Sequence, residues 1–369
     1  MNESRLENLA RILVDYSLRV QAGERVLIDA TSAAAPLVRL LYALILERGG
    51  HPYPLIALPD QEELLFRHGQ DGHLDHVPLF HQLAYEQFES RIRIASATNP
   101  RALTNVEAGR KQRRQKALAP LLELQMRRSA AGTFKWVSTL FPTEGYAMEA
   151  EMSLAEFEDF VYRACYADEA DPVARWRSVE AAQQRYIACL EGHDEIIVRG
   201  PNVDLRLSVK GRTFVNGCGE HNMPDGEIFT GPVEDSLQGW VRFTYPAIYS
   251  GTMVEGVELT FERGRVVKAS ARKNQDFLLA MLEADAGARY AGEFAIGTNA
   301  AIRRFSHNIL FDEKIGGTFH LALGAGYPET GSQNRSVIHW DMICGLEQDS
   351  EIRADGEVVY RNGRFVEGR

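Results

Sequence analysis

Between Gly316 and Asp341 the chain reads GGTFHLALGAGYPETGSQNRSVIHWD, a glycine-rich run that contains His320, Tyr327, His339 and Asp341. One residue separates His339 from Asp341, so on an extended strand their side chains point to the same face. A histidine beside a carboxylate, with a second histidine from a neighbouring strand, is a metal-binding pattern. His320 lies among apolar residues in Thr318–Leu323, where a desolvated imidazole needs partners for both ring nitrogens. Taken alone it also reads as a core histidine bonded to backbone. Asp341 tips the balance, because burying a carboxylate without a cation is costly and neither apolar stretch contains Lys or Arg. A metal cation is the expected partner.

Two acids outside this stretch fit the same chemistry. Glu255 stands in Gly251–Gly256, where flanking glycines allow close backbone approach, and Glu293 leads into an apolar run. His68, His73, His76 and His81 form the densest histidine group, but Gly69 and Gly72 interrupt it and few acids accompany it. That group reads as a surface segment. The sequence contains no HExxH, GxSxG, GxGxxG or GxxxxGK[ST] motif, which removes thermolysin-like, serine-hydrolase and common nucleotide-binding readings.

Positioning these residues requires two kinds of architecture. Ser4 is placed to cap a first helix, followed by a strand at Arg25–Ala30, a helix over Ala34–Arg48, and strands at His51–Leu58 and Ser90–Ala97. Strand–helix–strand at this pace implies right-handed crossovers, so residues 1–192 are expected to form an α/β domain with a parallel sheet and a helical extension. Ser153 with Glu156 is a capping box within that extension. From residue 193 the texture changes to short alternating runs between turns, including Glu195–Arg199, Asp204–Lys210, Val254–Glu262 and Val266–Ala271. Residues 193–369 are expected to form a mostly antiparallel β (α+β) catalytic domain, with one helix over Asn274–Ala291.

Composition narrows the function classes. A length of 369 residues favours two domains, and 45% hydrophobic with 25% charged residues is ordinary for a globular protein. The net charge of −10 and scattered basic residues argue against a nucleic-acid partner. The most basic run, Arg110–Arg114 with Lys116, reads as a solvated helix face. Cys165, Cys189, Cys218 and Cys344 form no CxxC pair, so neither a zinc finger nor a disulfide framework is expected. With no leader-like start and no long apolar run, the chain reads as cytoplasmic, with no membrane partner.

Five segments in order carry a family resemblance: Asn222–Pro232, Gly251–Gly256, Gly287–Glu293, Phe311–Gly324 and Ser336–Ile343. Together they resemble the aminopeptidase T / aminopeptidase S family of dinuclear metallopeptidases, most densely over residues 220–345, with looser likeness at Asn99–Leu103 and Phe141–Thr143. The resemblance implies a metallo-aminopeptidase acting on peptides with a free N-terminus, assembled as a homodimer. It also implies two divalent ions per subunit (Zn²⁺, Co²⁺ or Mn²⁺), held by two glutamates, two histidines and an aspartate. Motif by motif these fall on Glu255, Glu293, His320, His339 and Asp341, with Glu255 or Glu293 bridging the ions or moving a proton. The family's tyrosine after the glycine-rich His strand falls on Tyr327, which reads as a catalytic hydrogen-bond donor to an oxyanion or as a pocket-wall tyrosine. Only eleven residues separate Tyr327 from His339, a short connection for the family. The competing reading is a mononuclear iron ring-cleaving dioxygenase using two histidines and one carboxylate. It leaves the two glutamates without a role.

Overall fold

A computed structural model describes residues 3–366 of the chain, which divides into two compact units. The first runs through Trp176 and includes Gly219–Pro224; the second comprises Arg177–Cys218 and the chain from Asp225 onward. The boundary expected after residue 192 thus falls inside the second unit. Ile187 and Leu190, at the end of helix Pro172–Ala188 and just beyond it, are buried in the second unit's core.

In the first unit β1 (Arg25–Thr31), β2 (His51–Ala57), β3 (Ser90–Ala95) and β4 (Lys135–Leu140) form a parallel sheet in the order β2-β1-β3-β4, with Asn222–Met223 pairing in parallel beside β4. Val26, Leu27 and Ile28 of β1 are all buried, the signature of a parallel strand covered on both faces. The helix over Glu3–Arg11 already contains Ser4, so that serine does not sit at its start. Ser153 and Glu156 do form the expected capping box at the Leu154–Ala164 helix.

The basic run is only in part a solvated face: Arg113 and Lys116 are exposed. Within helix Ala108–Ala130, Arg110 donates to the carbonyls of Phe66 and Gly69, Arg113 pairs with Asp71 and Asp75, and Arg114 donates to the carbonyls of Leu74 and His76. Three arginines therefore hold down the histidine-rich segment. None of its histidines joins a metal-ligand cluster among the described residues. His81 instead faces Asp29 of β1 at 3.4 Å, and Arg91 of β3 reaches the same carboxylate at 2.6 Å. Burial works against ionising Asp29, yet His81 and Arg91 outweigh it and hold the carboxyl at about 2. A depressed carboxyl contributes stability above its unfolded value, and that stability is lost as pH falls through the folded value. Asp29→Asn is expected to cost on the order of 2 kcal/mol at pH 7. The difference should shrink as pH falls from about 4 towards 2, read from urea midpoints of both proteins.

The second unit contains two large antiparallel sheets. One has eight strands in the order Arg265–Ser270, Glu258–Glu262, Gln238–Arg242, Val203–Ser208, Glu195–Gly200, Glu351–Ala354, Glu357–Arg361 and Arg364–Phe365. The other is built from β5 (Val215–Gly217), β6 (Glu227–Thr230), β7 (Ala291–Gly297), β8 (Thr318–Gly324) and β9 (His339–Gly345), in the order β9-β8-β7-β6-β5. Strand alternation sorts its side chains. Phe294, Ile296, Phe319, Leu321, Leu323, Trp340 and Met342 enter one core cluster with Ile196, Val198, Leu205 and Leu207 of the eight-stranded sheet. The residues between them face the other way. The helix expected over Asn274–Ala291 is shorter, Gln275–Leu282: Asp285 accepts from the Gly287 N–H in a turn, and Ala291 already begins β7.

Candidate metal centre

Register explains how separate strands deliver their side chains to one place. Ala322 of β8 lies opposite Glu293 of β7 on one side and Asp341 of β9 on the other. Gly324 lies opposite His339, Ala295 opposite both His320 and Phe229, and Gly297 opposite Glu227. Directly paired residues share a face, and so do residues two apart on a strand. Glu227, Glu293, His320, His339 and Asp341 therefore project from the face opposite the apolar core. The middle of that face is paved with Ala295, Gly297 and Ala322, whose small side chains leave room for the larger polar ones.

The resulting geometry is tight. The His320 Nε2 atom lies 3.5 Å from Glu293 Oε1, 3.6 Å from Glu227 Oε2 and 4.0 Å from Asp341 Oδ1. The His339 Nε2 atom lies 3.4 Å from Glu293 Oε2 and 3.5 Å from Asp341 Oδ1. Glu293 thus turns one oxygen to each histidine. Its side chain is 5% exposed, that of Asp341 10% and that of His320 1%, whereas His339 at 29% stands at the open side. His339 Nδ1 is 2.7 Å from the Ala325 carbonyl, which only accepts, so Nδ1 carries the hydrogen and Nε2 faces the carboxylates.

Three overlapping sets of potential ligand atoms lie within 4.8 Å of one another: Glu227–Glu293–His320, Glu293–His339–Asp341 and Glu313–His320–Asp341. Each set contains one histidine, while Asp341 Oδ1 lies within 4.0 Å of both imidazole Nε2 atoms. The structure brings Glu293, His320, His339 and Asp341 together as the sequence led one to expect. It does not bring Glu255. That carboxylate is held by Arg272 and Lys273, each at 2.9 Å, which depress its proton affinity and make it a poor base. Glu227 lies in the cluster instead, in the Asn222–Pro232 segment that helped carry the resemblance. The signal was an acid flanked by apolar residues, Glu-Ile-Phe-Thr, on a strand that alternation could have assigned to the site face. Glu313 and Lys314, which precede β8, were also missed. Lys314 is fully buried and its ammonium pairs with Glu313 and, at 3.4 Å, with Glu227.

Charge follows from this packing. Burial raises the proton affinity of Glu227, with Lys314 opposing. The same cause raises that of Glu313. Burial would lower the two imidazoles, but Glu293, Glu227 and Asp341 hold His320 up at about 9, and Asp341 and Glu293 hold His339 at about 10. Asp341 is held low, because His339 and His320 outweigh its burial. Glu227, Glu293, Glu313 and Asp341, with buried Asp225 also acting on Lys314, outnumber the one ammonium when the acids are ionised and the imidazoles neutral. Glu227 Oε2 is also buried without a hydrogen-bond partner. Two imidazole nitrogens facing the carboxylates, several carboxylate oxygens and a shortage of positive charge fit divalent cations. Tyr327 borders the centre, its ring edge-on to His339 at 5.2 Å and 5.4 Å from Phe229.

Comparison with known proteins agrees with this chemistry. Residues 2–365 match the thermophilic metalloprotease (M29) family. Aminopeptidase T of Thermus thermophilus is 29% identical, covering 97% of this chain and 95% of that protein. Aminopeptidase 2 of Geobacillus stearothermophilus is 26% identical, covering 99% and 98%. A solved structure of wild-type AmpT from Thermus thermophilus superposes with a TM-score of 0.86 at 24% identity, covering 98% of this chain and 99% of that one, which establishes the shared fold.

Proposed function

This chain belongs to the thermophilic metalloprotease (M29) family, and on that premise we propose that it is a metal-dependent aminopeptidase that removes N-terminal residues from peptides. The observation that carries the reading is the cluster in which Glu227, Glu293, Glu313 and Asp341 converge on the His320 and His339 imidazoles, with the His339 ring fixed by the Ala325 carbonyl. The proposed ligands are Glu227, Glu293, His320, His339 and Asp341. Two ion positions are proposed, because two of the ligand sets meet at Glu293 and its two oxygens face different histidines. Zn²⁺, Co²⁺ and Mn²⁺ all suit nitrogen and oxygen ligands of this kind. The subunit is proposed to act as a homodimer in the cytoplasm.

When bound, divalent ions supply Lewis acidity to a peptide carbonyl and lower the pKa of water towards neutrality. The chain's own residues do the rest. Glu227, Glu293 and Asp341 supply the negative charge that retains cations in a buried place. The Ala325 carbonyl fixes the imidazole of His339. Tyr327, on the open side next to His339, is proposed to donate its phenolic hydrogen to the oxyanion that develops on the substrate carbonyl.

Two outcomes test the activity and that role. Aminoacyl p-nitroanilides with a free amine should be hydrolysed, and their N-acetylated counterparts should not. Equal cleavage of both would rule out an aminopeptidase. Tyr327→Phe should lower kcat by about 100-fold, the typical loss for one oxyanion donor, while ion content measured by elemental analysis stays unchanged. An unchanged kcat would remove Tyr327 from the mechanism.

A further inference from the structure

Tyr327 and His339 are joined by a connection whose first half is held by charge. The Arg212 side chain is only 8% exposed, and its guanidinium donates to the Gly331 carbonyl and, at 2.6 Å, to Glu234 Oε2. The other oxygen of Glu234 accepts from the backbone N–H of Gln333 at 2.7 Å. One ion pair thus grips the connection on both sides of Ser332. The same turn is tied back to Tyr327: the Thr213 N–H donates to the Thr330 carbonyl at 3.1 Å, and the Thr330 hydroxyl donates to the Tyr327 carbonyl at 2.7 Å. Gly331 turns there with a φ of +87°, a conformation that favours glycine. The second half is anchored separately, by the Asn334 amide on the Gly324 carbonyl and by Asp285 on the Val337 N–H and the Ser336 hydroxyl.

We propose that Arg212 and Glu234 are positioning residues for catalysis, which hold the turn after Tyr327 so that its ring stays edge-on to His339. The inference rests on the donor role proposed for Tyr327. It assigns a catalytic consequence to an ion pair that contributes no ligand to any of the three sets. A mostly buried guanidinium that donates to a carboxylate and a carbonyl at once suits the task, because its planar fork fixes direction as well as distance. Misplacing a reacting group by about 1 Å costs up to about 100-fold in rate, so loosening this turn should be felt at the chemistry without touching a ligand.

The test is a double-mutant cycle between Arg212→Met and Tyr327→Phe, with Glu234→Gln as the milder second variant should Arg212→Met fail to fold. In the wild-type background Arg212→Met or Glu234→Gln should lower kcat by about 10-fold, with KM and ion content close to wild type. Backbone amides of residues 328–334 should exchange hydrogen faster. In the Tyr327→Phe background the same change should add no more than about twofold, because the group it positions is already gone. Losses that multiply would overturn the inference, as would a loss that follows ion content or exchange rates that do not move. If Tyr327→Phe by itself were silent, the donor role would fall and take this inference with it, an outcome distinct from multiplying losses.

Discussion

Glu227→Gln is expected to lower kcat/KM for an aminoacyl substrate by about 100-fold or more, whereas Glu255→Gln should leave it nearly unchanged. Removing a partner that merely supports a metal ligand already costs about 10–100-fold, and a ligand should cost at least as much. Glu227 meets the structural conditions for a ligand: it is buried, its Oε2 atom has no hydrogen-bond partner, and His320 Nε2 lies 3.6 Å away. Glu255 meets none of them. Its carboxylate is satisfied by Arg272 and Lys273, whose side chains are 76% and 56% exposed, in an ion pair of the kind that solvent screens. Elemental analysis of both variants separates the cases further, since Glu227→Gln should lose bound ion and Glu255→Gln should not. The reverse pattern would return Glu255 to the centre and remove Glu227.

The second large effect concerns protons. With the carboxylates outnumbering one ammonium, the ion-free protein takes up hydrogen ions to offset the excess negative charge, and the raised His320 and His339 bind them together with the raised Glu227 and Glu313. An imidazole must be neutral and a carboxylate ionised to ligate, so metal uptake by chelator-treated protein at pH 8 should release about two protons or more, from His320, His339 and the raised Glu227. Calorimetry in buffers of different ionisation enthalpy measures that number, and zero release would show that the imidazoles are already neutral. The sign for stability follows directly. A group whose folded pKa is raised adds stability below its unfolded value near 6.5, and that stability disappears as pH climbs through about 9 to 10. Ion-free protein should therefore lose thermal stability between pH 7 and 10. Protein with its ions bound should not show that decline, because the histidines are then neutral throughout. Adding a divalent ion at about 1,000 times its Kd should restore about 4 kcal/mol along with activity.

How far the sequence led depends on the kind of information each residue carries. His339 and Asp341 were legible because strand parity is a local rule, and two residues on one strand share a face whatever surrounds them. Glu293 and His320 were legible because charged or titratable residues in apolar strands need a partner. Glu227 and Glu255 could not be told apart that way, since both lie near glycines and apolar residues. Which acid meets His320 depends on the order of strands in the sheet, and strand order depends on long-range pairing. The basic run at Arg110–Arg114 failed for a related reason. Its partners are mostly backbone carbonyls some forty residues away, and carbonyls leave no mark in a sequence. The parallel and antiparallel halves of the fold were legible from texture. Their dividing point was not, because helix Pro172–Ala188 begins in one unit and buries its end in the other's core.

The Ala322 side chain donates nothing, accepts nothing and carries no charge, yet it lies level with Glu293 on one flank and Asp341 on the other. Two extra methyl groups there, as in Ala322→Val, would project into the space where the carboxylates and imidazoles converge. Every polar residue would still be present, and a search for lost ligands would find none. The inactive descendants of such an enzyme can therefore arise through silent-looking changes at its blandest positions. Counting intact histidines and acids is not enough to recognise a working member; the emptiness between them has to be inherited as well.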